Sequence, residues 1–189
     1  MRKWARVKWT EAGQVADLLD WKDDLGPDAR TPPEEFFGRL RGDQRLPDAV
    51  FFIGQALPRY ETVVWAIRTV RDLGRDREMD KPDADALKAA LLWVQDPSDQ
   101  RRRAAYDAAQ LAGDRSAERL AALAAFFSGG SLAPDNCPPV PTLPQASGQL
   151  AAGAVLLAAH QTPDWTGAIN SALDAAETIA MKGVEAGAA

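Results

Sequence analysis

The 189-residue sequence holds one cysteine, Cys137, and one histidine, His160, and each scarcity excludes a class of chemistry. A lone cysteine forms no internal disulfide, so nothing in the chain points to an oxidising compartment. A lone histidine leaves few candidates for a multi-ligand metal site or for a general base with an orienting partner. Long apolar runs are missing as well. The longest, Ala151 to Ala159, is mostly alanine and stops well short of the ~18 residues of a membrane span. Basic excess is missing too: 22 Lys and Arg against 27 Asp and Glu leave a net charge of −5, which argues against a bulk nucleic-acid or anionic-membrane partner. The opening residues MRKWARVKWTEAG are cationic but lead into no apolar stretch, so no secretory signal is expected and a cytoplasmic setting is the plain reading.

What the chain does have is ordinary globular composition. The hydrophobic fraction is 46%, the charged fraction 26%, and six tryptophans and six phenylalanines supply large apolar volume. Helical punctuation recurs along most of it. Thr10 stands before EAGQVADLL as a candidate N-cap. In TPPEEFFGRL, Thr31 is a candidate N-cap with prolines in the first turn and Glu34 placed for a capping box. DAVFFIGQAL (Asp48 to Leu57) reads as a buried helix that Pro58 ends or kinks. Val63, Ile67 and Val70 form one helical stripe, and Leu87, Leu91 and Val94 form another. Asp114 or Ser116 caps a helix carrying Leu120, Leu123 and Phe127, and the Gly129-Gly130 pair is expected to stop it. Two more helices follow, roughly Gln145 to Gln161 and Pro163 to Lys182. The segment from Trp4 to Trp9 alternates as a short edge strand or an extended arm would.

These signals predict a single all-α domain, a bundle or array of about 7–9 helices joined by short links. Residues 1–45 are expected to form an arm and short helices, 46–182 the main core, and 183–189 a frayed tail. Trp65, Trp93, Leu91, Phe126 or Phe127, Leu123, Leu156 and Leu157 are the expected large core residues.

Most chemically suggestive residues have a plainer structural reading. His160 suits the last turn of a helix, where it favours the dipole. Cys137 lacks the helix N-terminus or basic neighbour that an activated thiol has. Arg101, Arg102 and Arg103 diverge around a helix, so a solvated face is expected, with Asp99 and Asp107 available as partners. The basic arm of Arg2, Lys3, Arg6 and Lys8 carries Trp4 and Trp9, which are expected to anchor it to the core rather than stack bases. The acidic pairs Glu34-Glu35, Asp23-Asp24, Asp83-Asp85 and Asp174-Glu177 fall in first turns or linkers. Gly129-Gly130-Ser131 follows a helix and lacks the Lys-Ser/Thr of a phosphate loop. No catalytic residue, metal site or cofactor is assigned.

One segment reads as an interaction element. Pro138, Pro141 and Pro144 recur at the period of a polyproline II helix and share a face, with Ser131, Leu132 and Pro134 leading in. It could dock a partner or strap the protein's own tryptophans, and the strap is the favoured reading for the loop.

RVKWTEAGQVADLL, DAVFFIGQALPRYETVVWAIR, WVQDPSDQRRRAAYDAAQLAG and LAAFFSGGSLAP, followed by prolines and AAGAVLLAA, span nearly the whole chain. Together they resemble an uncharacterised bacterial family of helical proteins without assigned activity. FFSGGSLAP is the most specific of them. Where that family typically carries a double tryptophan, this chain has Val64-Trp65, one bulky apolar residue exchanged for another. The resemblance implies a helical fold and an accessory or adaptor role near type VI secretion genes, and it carries over no catalytic residue. The expected function is a non-catalytic protein-interaction module with a protein partner, no nucleic acid and no membrane insertion. The alternatives are an immunity-type protein neutralising a basic toxin and an enzyme with a carboxylate site that the sequence does not reveal.

Overall fold

Nine α-helices account for most of residues 3–21, 24–134 and 136–184, the residues described by the computed structural model. They are α1 (Ala12–Ala16), α2 (Pro33–Gly42), α3 (Leu46–Ala56), α4 (Arg59–Leu73), α5 (Lys81–Gln95), α6 (Asp99–Leu111), α7 (Ala117–Phe126), α8 (Ala146–His160) and α9 (Trp165–Lys182). Most links are short, with longer ones between α1 and α2 and at the proline loop. Arg2, Asp23 and the tail from residue 185 lie outside the described residues, as does Asp135 in the proline loop. The all-helical expectation holds. Among the described residues there is no strand, only an isolated antiparallel bridge between Ser131 and Pro141. The Trp4–Trp9 segment is therefore an arm, not an edge strand.

Helix α8 organises the core. Its sequence ASGQLAAGAVLLAAH is apolar nearly all round, and it packs against α3, α4, α7 and α9. Alanine dominates the buried residues of this helix and of α7, its most extensive neighbour: Ala121, Ala122, Ala124 and Ala125 are buried on α7, and Ala151, Ala152, Ala154, Ala158 and Ala159 on α8. Side chains this small let the helix axes close up, and that shifts the leucines to the edges. Leu91, Leu123, Leu156 and Leu157, expected at the centre, are only half-buried, whereas Trp65, Trp93 and Phe126 are buried as expected. Gly54 and Gly148 mark a close approach of α3 and α8: a Cβ on Gly54 would lie 3.3 Å from the Gly148 carbonyl oxygen.

Trp65 of α4 stands at the centre, with its indole Nε1 donating to the Ala172 carbonyl of α9 at 2.8 Å. The N-terminal arm closes over α2 through Trp4, whose ring lies 5.1 Å from that of Phe37. This is the anchoring expected of it. Arg6 pairs with buried Glu61 at 2.9 Å rather than presenting a basic face. One continuous apolar cluster runs from Trp4 to Ala180.

Several caps differ from expectation. Glu11, not Thr10, caps α1, with Gln14 completing a capping box. Thr31 does not cap α2. Its hydroxyl donates instead to the Asp28 carbonyl at 2.8 Å, and Pro32 takes the N-cap position. Ser116 and Asp164 cap α7 and α9 through side-chain oxygens. Helix α7 ends at Phe126, before the glycine pair, so the pair does not serve as its stop.

Candidate interaction site

The glycine pair serves the loop that follows. Gly130 has a φ of +69°, and a Cβ there would lie 2.9 Å from the Arg102 Nε. Both its backbone conformation and the close guanidinium require glycine. Beyond it the chain forms a closed turn. The Leu132 amide donates to the Val140 carbonyl at 2.8 Å, and the Val140 amide donates to the Ser131 hydroxyl at 3.0 Å.

Two arginines of α6 hold this turn to the body. Arg102 is only 4% exposed, which corrects the expectation of a solvated arginine face. Its Nε donates to Asp99 at 2.8 Å, Nη1 to the Phe126 carbonyl at 2.9 Å, and Nη2 to the Ser131 carbonyl at 2.8 Å. The guanidinium also lies over the Phe126 ring, 4.7 Å from its centroid. Arg103, half-buried, donates to the Ala133 carbonyl at 2.9 Å and to Asp99 at 2.8 Å. Hydrogen bonds from Arg103 and then Arg102 hold the Asp99 carboxyl below its ordinary pKa. The spacing of Asp99 and Arg103 one turn apart was legible in the sequence. The inward turn of Arg102 was not, because a buried arginine is set by carbonyls distant in sequence.

The loop is therefore fastened to α6 through its main chain, and its prolines stay outside. Pro134, Pro138, Pro139, Pro141 and Pro144 are all exposed, as is Leu143 at 66%. The strap expected over the tryptophans is, in the structure, a clasp on α6. Pro144 lines a cavity that Trp9 also lines. Beneath the first half of the loop lies an open groove of about 440 Å³, walled by Tyr106, Phe126, Phe127, Leu132 and Pro134, with Arg103 and Asp107 at its polar side. Its aromatic rings are closely packed: Tyr106 and Phe126 lie 4.4 Å apart, and Phe126 and Phe127 meet edge-on at 5.1 Å. The structure brings Leu132 and Pro134 to this groove, while Ser131 holds the turn above α6 through its carbonyl. Pro138, Pro141 and Pro144 are not among its lining residues. Tyr106 is the groove residue that the sequence reading missed, its only signal being a position one helical turn from Arg102 and Arg103.

The remaining candidates are dispersed. Cys137 is exposed, 3.7 Å from the Asn136 side-chain oxygen. His160 ends α8 in solvent and stacks on the Trp165 ring at 5.0 Å. Glu35 pairs with Arg39, Asp85 with Lys81, and Asp174 with Arg41, while Asp83 accepts from the Gly113 amide at 2.9 Å. These carboxylates do not converge on one cavity. Among the described residues, no group of three or more His, Cys, Asp or Glu is placed to hold a metal ion, and no helix is long and apolar enough to cross a membrane.

Residues 36–180 match the model of a protein family described as Family of unknown function (DUF6931). No curated protein and no solved structure matches the chain.

Proposed function

Starting from the fact that the chain belongs to the Family of unknown function (DUF6931), we propose that it is a non-catalytic protein-interaction module whose loop 131–144 meets a protein partner. The observation that carries this reading is the division of labour within the loop. Arg102 and Arg103 hold its main-chain carbonyls, which leaves Pro134, Pro138, Pro139, Val140, Pro141 and Leu143 exposed. A proline-stiffened segment already tied down loses little conformational freedom when a partner covers it. The aromatic groove beside it supplies apolar area of the kind that anchors an interface. A bacterial origin and an accessory role beside a type VI secretion apparatus are what the resemblance carried by FFSGGSLAP and its companion segments implies, and a cytoplasmic setting is the plain reading of the sequence.

A photo-cross-linking side chain at Val140, incorporated in the native host, tests the reading. We expect one dominant cross-linked protein there and none from the same probe at Leu111, which is exposed on the C-terminal end of α6. A secretion component supports the accessory role; a cognate toxin would turn the reading to immunity. The absence of any cross-link at Val140, or turnover of a substrate that depends on an acidic side chain, would overturn it.

A further inference from the structure

A second cavity, of about 410 Å³, lies where the N-terminal arm meets the ends of α3, α4 and α8. Its charge is one-sided. Lys8 and Arg59 line it and no acidic side chain does, in a protein whose net charge is −5. Neither cation has a carboxylate partner among the described residues; Lys8 instead sits over the Trp9 ring, 4.4 Å from its centroid.

The main chain at this cavity has the same polarity. Helices α4 and α8, each 15 residues long, both begin here without a side-chain cap. Among the described residues the amides of Ser147 and Gly148 have no acceptor, whereas the neighbouring Ala146 and Gln149 amides find carbonyls on Leu143 and Gln145. The Arg59 amide is likewise without one, the first amide of α4 with a partner being that of Thr62. Helix N-termini left open in this way attract anions through both their N–H groups and their dipole. Three of the local carbonyls, by contrast, are taken. The Gly54 carbonyl accepts from the Thr62 hydroxyl at 3.0 Å, the Gln55 carbonyl from Trp9 Nε1 at 3.4 Å, and the Gln145 carbonyl from the Gln55 side chain at 2.8 Å. Glu61, the acid in the first turn of α4, is paired with Arg6 and does not line the cavity.

A separate observation comes from a side chain. Ser147 is 2% exposed and lines the cavity, yet its hydroxyl makes no hydrogen bond to any described residue. The hydroxyl keeps some accessible surface, so whatever fills the cavity can hydrogen-bond to it. We propose that this cavity binds a small organic anion, its phosphate or carboxylate group received by the first-turn amides of α4 and α8, the Ser147 hydroxyl, Lys8 and Arg59. Trp9, Leu57 and Pro144 provide the apolar wall for the rest of the molecule.

Amide-resolved nuclear magnetic resonance tests this on the intact protein. Inorganic phosphate and succinate are titrated separately, with sodium chloride matched for ionic strength. The expected result is saturable movement of the Ser147, Gly148 and Arg59 amides with phosphate, succinate or both, the responding probe identifying the anionic group. Affinity should fall at least about tenfold in the Lys8→Gln/Arg59→Gln double variant, whose altered side chains are both exposed and which should fold normally. Ser147→Ala should weaken binding in the otherwise unchanged cavity. Movement no greater than with chloride, or saturable binding that the double variant leaves intact, would overturn the proposal.

Discussion

Arg102 and the Ser131 carbonyl meet at 2.8 Å, joining α6 to the start of the proline loop through a guanidinium that is almost entirely buried. The same side chain reaches Phe126 at the end of α7, so one residue fixes where the helix stops and where the loop departs. Gly130 lies between those two carbonyls and leaves room for the guanidinium. The loop's position is thus set from below, by the main chain, and is independent of what its prolines touch.

Replacing Arg102 with lysine keeps the charge but cannot reproduce the three-way fork to Asp99, Phe126 and Ser131. At least one buried carbonyl is left without its donor, so Arg102→Lys should cost about 2 kcal/mol, read from the urea midpoint. The Leu132 amide, which closes the loop onto Val140, should exchange with solvent faster in the variant. Unchanged exchange there would mean that the loop holds its shape without the arginine.

The Asp99 carboxylate ties both arginines together and is held below its usual pKa by their hydrogen bonds, Arg103 first. A carboxyl depressed in the folded state adds stability that is present above its unfolded pKa and is lost as pH falls through the folded value. The stability difference between the wild type and Asp99→Asn should therefore be largest near neutrality and shrink through and below the ordinary carboxylate range. Denaturant midpoints measured across acid pH check this. A difference that grows on acidification would contradict the assignment.

The two central tryptophans should respond differently to phenylalanine. Trp65 is 1% exposed and donates to Ala172, whereas Trp93 is 4% exposed and its Nε1 has no partner. Trp65→Phe loses packing and a hydrogen bond, while Trp93→Phe loses packing alone, so the first should be the more destabilising by about 1 kcal/mol. Truncating Trp93 to alanine should cost roughly 3–5 kcal/mol, and an unchanged denaturation midpoint would place that ring outside the core.

Several local signals were read correctly, though not the caps at Thr10 and Thr31 or the glycine stop. Prolines in first turns, the cap at Ser116 and the stripe of Val63, Ile67 and Val70 are decided within a few residues, and the structure agrees with them. Thr31 misled because its hydroxyl had a nearer acceptor in the Asp28 carbonyl. Leu156 and Leu157 misled for a tertiary reason: alanine seams draw the helices together and leave larger side chains at the margin. At the candidate sites, the prolines were visible and their exposure was not. Ser147, Gly148 and Arg59 carried no sequence signal, because their meaning depends on two helix starts distant in the chain facing one cavity.

The loop itself offers the most direct separation of roles. Pro138, Pro141 and Pro144 are exposed, and the contacts that anchor the loop come from the main chain of Ser131 and Ala133. Substituting all three by alanine therefore removes no buried packing. It mainly frees the unfolded chain, at about 0.4–1 kcal/mol per proline at most. The far-ultraviolet circular dichroism of the triple variant should match that of the wild type, and its melting temperature should fall only slightly. Capture of the protein cross-linked at Val140 should weaken, because the preorganised face that met it is now flexible. A large loss of thermal stability with capture by the remaining folded protein unchanged would instead make the loop an internal strap, and the partner surface would then have to be sought elsewhere on the molecule.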